Sequence, residues 1–85
     1  MTIKVLYFAR LRESLGLSGE ELDLSTGITT VTGLMTLLAA RGEPWQQEFD
    51  GCRPIRAAVN QTLVPDSEPI KDGDEVAFFP PVTGG

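Results

Sequence analysis

The chain has no histidine and a single cysteine, Cys52. Those two shortages remove much of the side-chain chemistry from which small proteins build sites. A zinc centre of the usual nitrogen-and-sulfur kind cannot be assembled, nor can a Ser-His-Asp triad. An internal disulfide framework is excluded as well. No stretch approaches the roughly 18–20 apolar residues that a membrane span needs. The opening residues, Met1 to Phe8, alternate as a strand does and lack a signal-peptide cleavage pattern, so a cytoplasmic location is expected. Phosphate cradles of the GxxxxGK[ST] or GxGxxG type are missing. Basic residues are few and scattered, seven against twelve acidic, for a formal charge of −5. That balance argues against nucleic acid or an anionic membrane as partner and suits a partner with a basic docking face. A self-sufficient enzyme is not indicated.

What remains is one domain, residues 1–85, with no room for a second core. Ile3 to Phe8 reads as a strand, with Ile3, Val5 and Tyr7 on one face and Lys4, Leu6 and Phe8 on the other. A short helical turn follows, with Leu11 and Leu15 four apart and Gly16 as its stop. Glu21 to Leu24 alternates as a second strand. A threonine within Thr29–Thr32 caps the main helix, whose stripe Val31, Leu34, Met35 and Leu38 has helical spacing. Gly42 and Pro44 end it. Residues 43–54 read as a loop or broken helical turn anchored by Trp45 and Phe49, a satellite of the core. Arg56 to Asn60 is a third strand, and Thr62 to Val64 a fourth across a turn at Asn60-Gln61. Asp72-Gly73-Asp74 is a turn that delivers the last strand, Glu75 to Phe79. One sheet covered by one main helix is the α+β solution for so short a chain.

The end of the chain is the most distinctive segment. Pro80-Pro81 stops the last strand and stiffens its exit, so residues 79–85 protrude as a tail: Val82, Thr83, Gly84, Gly85. Two terminal glycines have no Cβ and fit a channel too narrow for other residues. A terminal Gly-Gly alone reads as a flexible end, but an apolar strand and two prolines precede this one. The free carboxylate of Gly85 is the candidate reactive group, with the tail expected to be mobile until bound.

The sheet's second face is a further clue. If Ile3, Val5, Tyr7, Ala57, Val59, Val76 and Phe78 meet the helix, then Leu6, Phe8, Ala58, Ala77 and Phe79 point away. With one main helix available, that face is expected to be an exposed apolar docking patch. The alternative is that the loop carrying Trp45 and Phe49 covers it. Leu63 extends the patch, and Arg12 is a candidate rim salt bridge. Cys52 lies in a loop without a resolving cysteine and reads as incidental. The acidic groups at Glu20, Glu21 and Asp23 and at Asp72, Asp74 and Glu75 read as turn chemistry and solvated surface rather than a cation site.

Ala58-Val59-Asn60-Gln61, Asp72-Gly73-Asp74-Glu75-Val76 and the closing Phe78 to Gly85 resemble the small subunit of molybdopterin synthase, a ubiquitin-like sulfur carrier. Ile3 to Ala9 with Arg12-Glu13 fits too, and the likeness is weakest over residues 16–54. The resemblance implies a β-grasp fold, a mixed sheet with the first and last strands as parallel central neighbours. It also implies a cycle at Gly85. An adenylating activating enzyme consumes ATP to make an acyl-adenylate, and a sulfur donor converts this to a thiocarboxylate. The large synthase subunit, in a heterotetramer of two small and two large subunits, then receives the tail. There the sulfur passes to a cyclic pyranopterin monophosphate to build the molybdopterin dithiolene. Phe8, Arg12, Leu63 and Phe79 are the expected partner interface, and no cofactor or metal is expected on the chain itself. Three alternatives stay open: a sulfur carrier of another pathway (thiamine synthesis or tRNA thiolation), a protein modifier conjugated through Gly85, and a plain interaction module whose tail has no chemistry.

Overall fold

The alternation at the start of the chain folds as strand β1 (Thr2–Tyr7), with Ile3, Val5 and Tyr7 buried and Thr2 and Lys4 exposed. The computed structural model describes residues 1–24, 27–50 and 54–81. After β1, helix α1 (Arg10–Leu15) buries Leu11 and ends at Gly16, whose φ of 69° is the left-handed geometry expected of a stop. Strand β2 (Gly19–Asp23) follows. It begins two residues before the expected Glu21. Gly19 lies so close to β1 that a Cβ there would sit 2.9 Å from Leu6 Cδ2 and 3.0 Å from Val5 O. Leu24 falls just beyond the strand, yet it is buried, with its N–H donating to Met1 O.

The main helix, α2 (Val31–Ala39), starts at Thr30, whose Oγ1 accepts from Gly33 N at 3.2 Å. Such a cap is worth about 1 kcal/mol. Val31, Leu34 and Leu38 are buried and Met35 partly so. The helix ends earlier than the Gly42 stop. Arg41 N reaches Leu38 O and Gly42 N reaches Ala39 O, the shorter-range bonds that tighten a last turn. Residues 43–54 contain a short helix, α3 (Trp45–Phe49), so the broken helical turn describes them better than a loop.

Strand β3 (Arg56–Val59) turns into β4 (Thr62–Val64) through Asn60 and Gln61, both at positive φ (51° and 70°). Two such residues make the type I′ geometry that matches strand twist in a two-residue hairpin. Strand β5 (Glu75–Phe79) closes the sheet. The order is β2-β1-β5-β3-β4, with β1 and β5 parallel and every other pair antiparallel. This is the β-grasp arrangement, with the first and last strands central as expected.

The seven residues expected to face the helix are all buried in one core with Val31, Leu34 and Leu38. Helix α3 adds aromatics to that same side. Trp45 meets Tyr7 edge-on at 5.4 Å, and Phe49 meets Phe78 edge-on at 5.2 Å. Each such pair is worth roughly 0.5–1.5 kcal/mol beyond the area it buries. The aromatics therefore bind α3 to the helix side, and the sheet's other face is not what they cover.

Candidate functional site

Because side chains alternate across a strand, burying Val5, Tyr7, Val76 and Phe78 forces Leu6, Ala77 and Phe79 to the opposite face. The strand pairings bring them into rows there. Leu6 is in register with Ala77, Ala77 with Ala58, and Ala58 with Leu63. Leu6, Phe8, Ala58, Leu63, Ala77 and Phe79, with Gln61 and Glu75 at one end, line an open groove of about 480 Å³. The alanines form its floor, and the larger side chains its walls. Phe8 is 46% exposed and Leu63 58%, values unusual for large apolar residues without a covering layer.

Phe8, Leu63 and Phe79 thus share one surface, as expected. Arg12 does not line it; its side chain is exposed on α1. Gln61 and Glu75 belong to the groove, although the sequence pattern does not place them there. The signal was the hairpin register, which puts the turn residue Gln61 beside the start of β5. The groove's aromatic end adjoins the tail exit, since Phe79 ends β5 and Pro80-Pro81 follow it, half-buried. Val82, Thr83, Gly84 and Gly85 lie outside the described residues, as does Cys52.

The tail's root is held firmly. Phe8 N donates to Phe78 O at 3.1 Å, extending the parallel pairing one residue past β1. At the other end of β5, Asp74 Oδ2 accepts from Lys71 N, and Asn60 Oδ1 accepts from Glu75 N. Asp72 Oδ1 accepts from Thr2 N at 2.7 Å, and Gly73 N donates to Thr2 O. Asp72 therefore ties the turn to β1, and Asp74 closes the turn on Lys71 and joins it to Asn60, the turn chemistry expected of them.

A polar cluster braces the core beneath. Tyr7 Oη donates to Glu20 Oε2 at 2.8 Å, and Arg41 donates to both Glu20 oxygens at 2.8 and 3.0 Å. The Arg41 guanidinium also lies 4.4 Å from the Trp45 ring centre. Burial pushes the Tyr7 hydroxyl well above its ordinary value, and the neighbouring Glu20 carboxylate adds to the rise. Burial also works to raise Glu20, but the bonds from Arg41 and Tyr7 outweigh it, leaving the carboxyl below its usual range. The bond to Glu20 holds Arg41 above its usual value. Elsewhere, buried Glu48 pairs with Arg10 Nε at 3.4 Å. These groups all face the helix side, away from the groove and tail.

Among the described residues no group of three or more His, Cys, Asp or Glu is placed to hold a metal ion, and no helix is long and apolar enough to cross a membrane. The site as described offers a shaped apolar surface and a stiff exit; it contains no acid–base pair.

Comparison with known proteins agrees with this geometry. The chain matches the ThiS family over residues 5–85. It is 47% identical over 83 residues to the molybdopterin synthase sulfur carrier subunit of Escherichia coli, covering 98% of this chain and 99% of that one. Among solved structures, SAMP1 of Haloferax volcanii is similar with a TM-score of 0.77 at 28% identity, each chain covered completely. A protein–protein complex of subunits 1 and 2 of the molybdopterin-converting factor from Helicobacter pylori gives a TM-score of 0.68 at 26% identity, again with full coverage of both chains. The chain belongs to the ThiS family and, within it, groups with the molybdopterin synthase sulfur carrier subunits.

Proposed function

We propose that this chain carries sulfur on the carboxyl group of Gly85 and delivers it within a molybdopterin synthase. The observation that carries the reading is the uncovered groove whose aromatic wall, Phe8 and Phe79, stands where β5 gives way to Pro80-Pro81. A partner gripping the tail must sit beside that exit, and an apolar surface waits for it. The likeness to a subunit that is seen in complex with its second subunit supports the large subunit as that partner.

The chemistry divides between the chain and its partners. A carboxylate is a poor electrophile, so an activating enzyme uses ATP to convert Gly85 to an acyl-adenylate with a good leaving group. A sulfur donor then displaces the AMP and leaves a thiocarboxylate. This is ionised at neutral pH and a softer nucleophile than an oxygen acid. Threaded through Val82, Thr83 and Gly84 into the large subunit, it attacks a cyclic pyranopterin monophosphate, and repeated delivery builds the dithiolene. Arg56, in register with Phe79, brings an exposed cation beside the exit, but a guanidinium stays protonated, so proton transfer falls to the partners. On this reading the chain needs no cofactor of its own, works in the cytoplasm, and assembles as two small and two large subunits.

Deleting Gly85 tests the reading. Loss of molybdopterin formation with the fold intact supports it, and unchanged activity sinks it. Intact-mass measurement of protein isolated from cells adds a second check. Replacement of one oxygen by sulfur at the C-terminus marks a carrier. A ladder of large adducts would instead favour the protein-modifier alternative, for which the likeness to SAMP1 speaks.

A further inference from the structure

The open edge of the sheet at β4 carries a backbone pair whose direction follows from the ladder. Asn60 N donates to Glu75 O at 2.8 Å, aiming the Asn60 amide at β5. Alternate residues of a strand share a direction, so the backbone groups of Ala58 also face β5, and those of Ala57 and Val59 face β4. Their register partners on β4 are Val64 and Thr62. Leu63, between these two, turns its N–H and C=O away from β3. Among the described residues no strand lies beyond β4, the last of the sheet, and neither group has a hydrogen-bond partner.

Exposed edges are usually blunted by charge. The opposite edge follows that rule. Leu24 N donates to Met1 O, and the same alternation turns the backbone of Asp23 and Glu21 outward, beside their exposed acidic side chains. The β4 edge, Thr62-Leu63-Val64, has no charge, and its central side chain is a wall of the groove.

We propose that the β4 edge pairs with a short extended segment of the same large subunit that seats on the groove, centred on Leu63. The inference rests on the docking reading above and adds to it the pairing mode and the chemistry of the segment. A partner residue that exchanges both backbone bonds with Leu63 lies on the same face as the Leu63 side chain. There it continues the row Leu6, Ala77, Ala58, Leu63, so it must be apolar. The pairing is short, since Pro65 has no N–H and its carbonyl already accepts from Glu68 N at 3.0 Å.

Amide exchange of the ¹⁵N-labelled chain, alone and with the large subunit, tests the pairing directly. The Leu63 amide is expected to slow at least about tenfold on binding. Leu63→Pro removes that donor without breaking a bond to β3, so an edge strand tolerates it. It should bind about fivefold more weakly than Leu63→Ala, the effect of one hydrogen bond. A Leu63 amide that exchanges as fast in the complex as outside it overturns the pairing, even if Phe79→Ala weakens binding. That exchange measurement decides alone if Leu63→Pro fails to fold. Should Phe79→Ala and Leu63→Ala both bind normally, the docking face itself is wrong. Protection of Leu63 in the chain alone, with a doubled mass in ultracentrifugation, makes the occupant a second copy and also overturns the proposal.

Discussion

Asn60 Nδ2 donates to Asp74 Oδ1 at 3.0 Å, joining the β3–β4 turn to the turn that launches β5. The Asn60 side-chain oxygen Oδ1 accepts from Glu75 N at the same distance, and the Asn60 backbone N–H donates to Glu75 O. Two segments 14 residues apart in sequence thus share one bond network. The side chain also suits the backbone, because asparagine tolerates the φ of 51° found there.

Asn60→Ala should therefore destabilise the fold by roughly 2–3 kcal/mol, losing two side-chain bonds and placing alanine at a positive φ. Asn60→Gly relieves the backbone part and should recover about 1 kcal/mol of that. Urea unfolding of the three proteins checks both. Equal stability of the alanine and glycine variants would show that the turn geometry is not what asparagine supports.

The Tyr7–Glu20–Arg41 cluster predicts stability losses at both ends of the pH scale. The folded carboxyl of Glu20 is depressed, so its contribution is present above the unfolded value of about 4.3 and fades as pH falls through the folded one. Tyr7 is raised, so its contribution is complete below about 10 and is lost as pH rises beyond that. Glu20→Gln should cost about 1–2 kcal/mol at neutral pH, the partial exposure of the pair keeping the figure small. The gap from the parent should narrow in acid. Unfolding curves from acid to alkaline pH measure this, and a gap independent of pH below 5 would contradict it.

Ala77 sits on the groove floor, in register with both Leu6 and Ala58. Ala77→Leu should fill the groove while leaving the core on the opposite face untouched. The expected result is binding to the large subunit weakened about fivefold to 150-fold, the effect of overpacking a fitted contact by about 1–3 kcal/mol, with an unchanged melting temperature. Calorimetry of the variant with the large subunit decides it. Normal affinity would mean that the partner does not enter the groove.

The two faces were legible because period-two alternation assigns every strand residue to a side without knowledge of its neighbours. Leu6, Ala58, Ala77 and Phe79 could thus be placed opposite the helix from spacing alone. Strand order was a different matter. Alternation says nothing about which strand lies beside which, and only the family resemblance implies the parallel β1–β5 pair. The Glu20–Arg41 pair is not legible in the sequence, since it depends on Arg41, just past α2, reaching β2, and by spacing alone Glu20 reads as one more solvated acid. Gly19 gives no strand signal, because its role is close approach to β1, which leaves no periodic mark. The groove's polar end, Gln61 and Glu75, emerges only once the hairpin register is known.

The double proline at the exit makes a last prediction about how binding energy is distributed. Pro80 follows β5 directly, and each proline removes backbone freedom that the tail must otherwise lose on entering a partner. Replacing both by glycine restores that freedom without touching a ladder bond, since neither proline has an N–H to donate. At about 0.4–1 kcal/mol per site, affinity for the large subunit should fall roughly fourfold to thirtyfold. The loss should be entropic, with the binding enthalpy and the melting temperature close to the parent's. Titration calorimetry separates these quantities. An unchanged affinity would show that the exit is ordered by the partner rather than by its own sequence, and an enthalpic loss would mean that the prolines make direct contacts instead of stiffening the path.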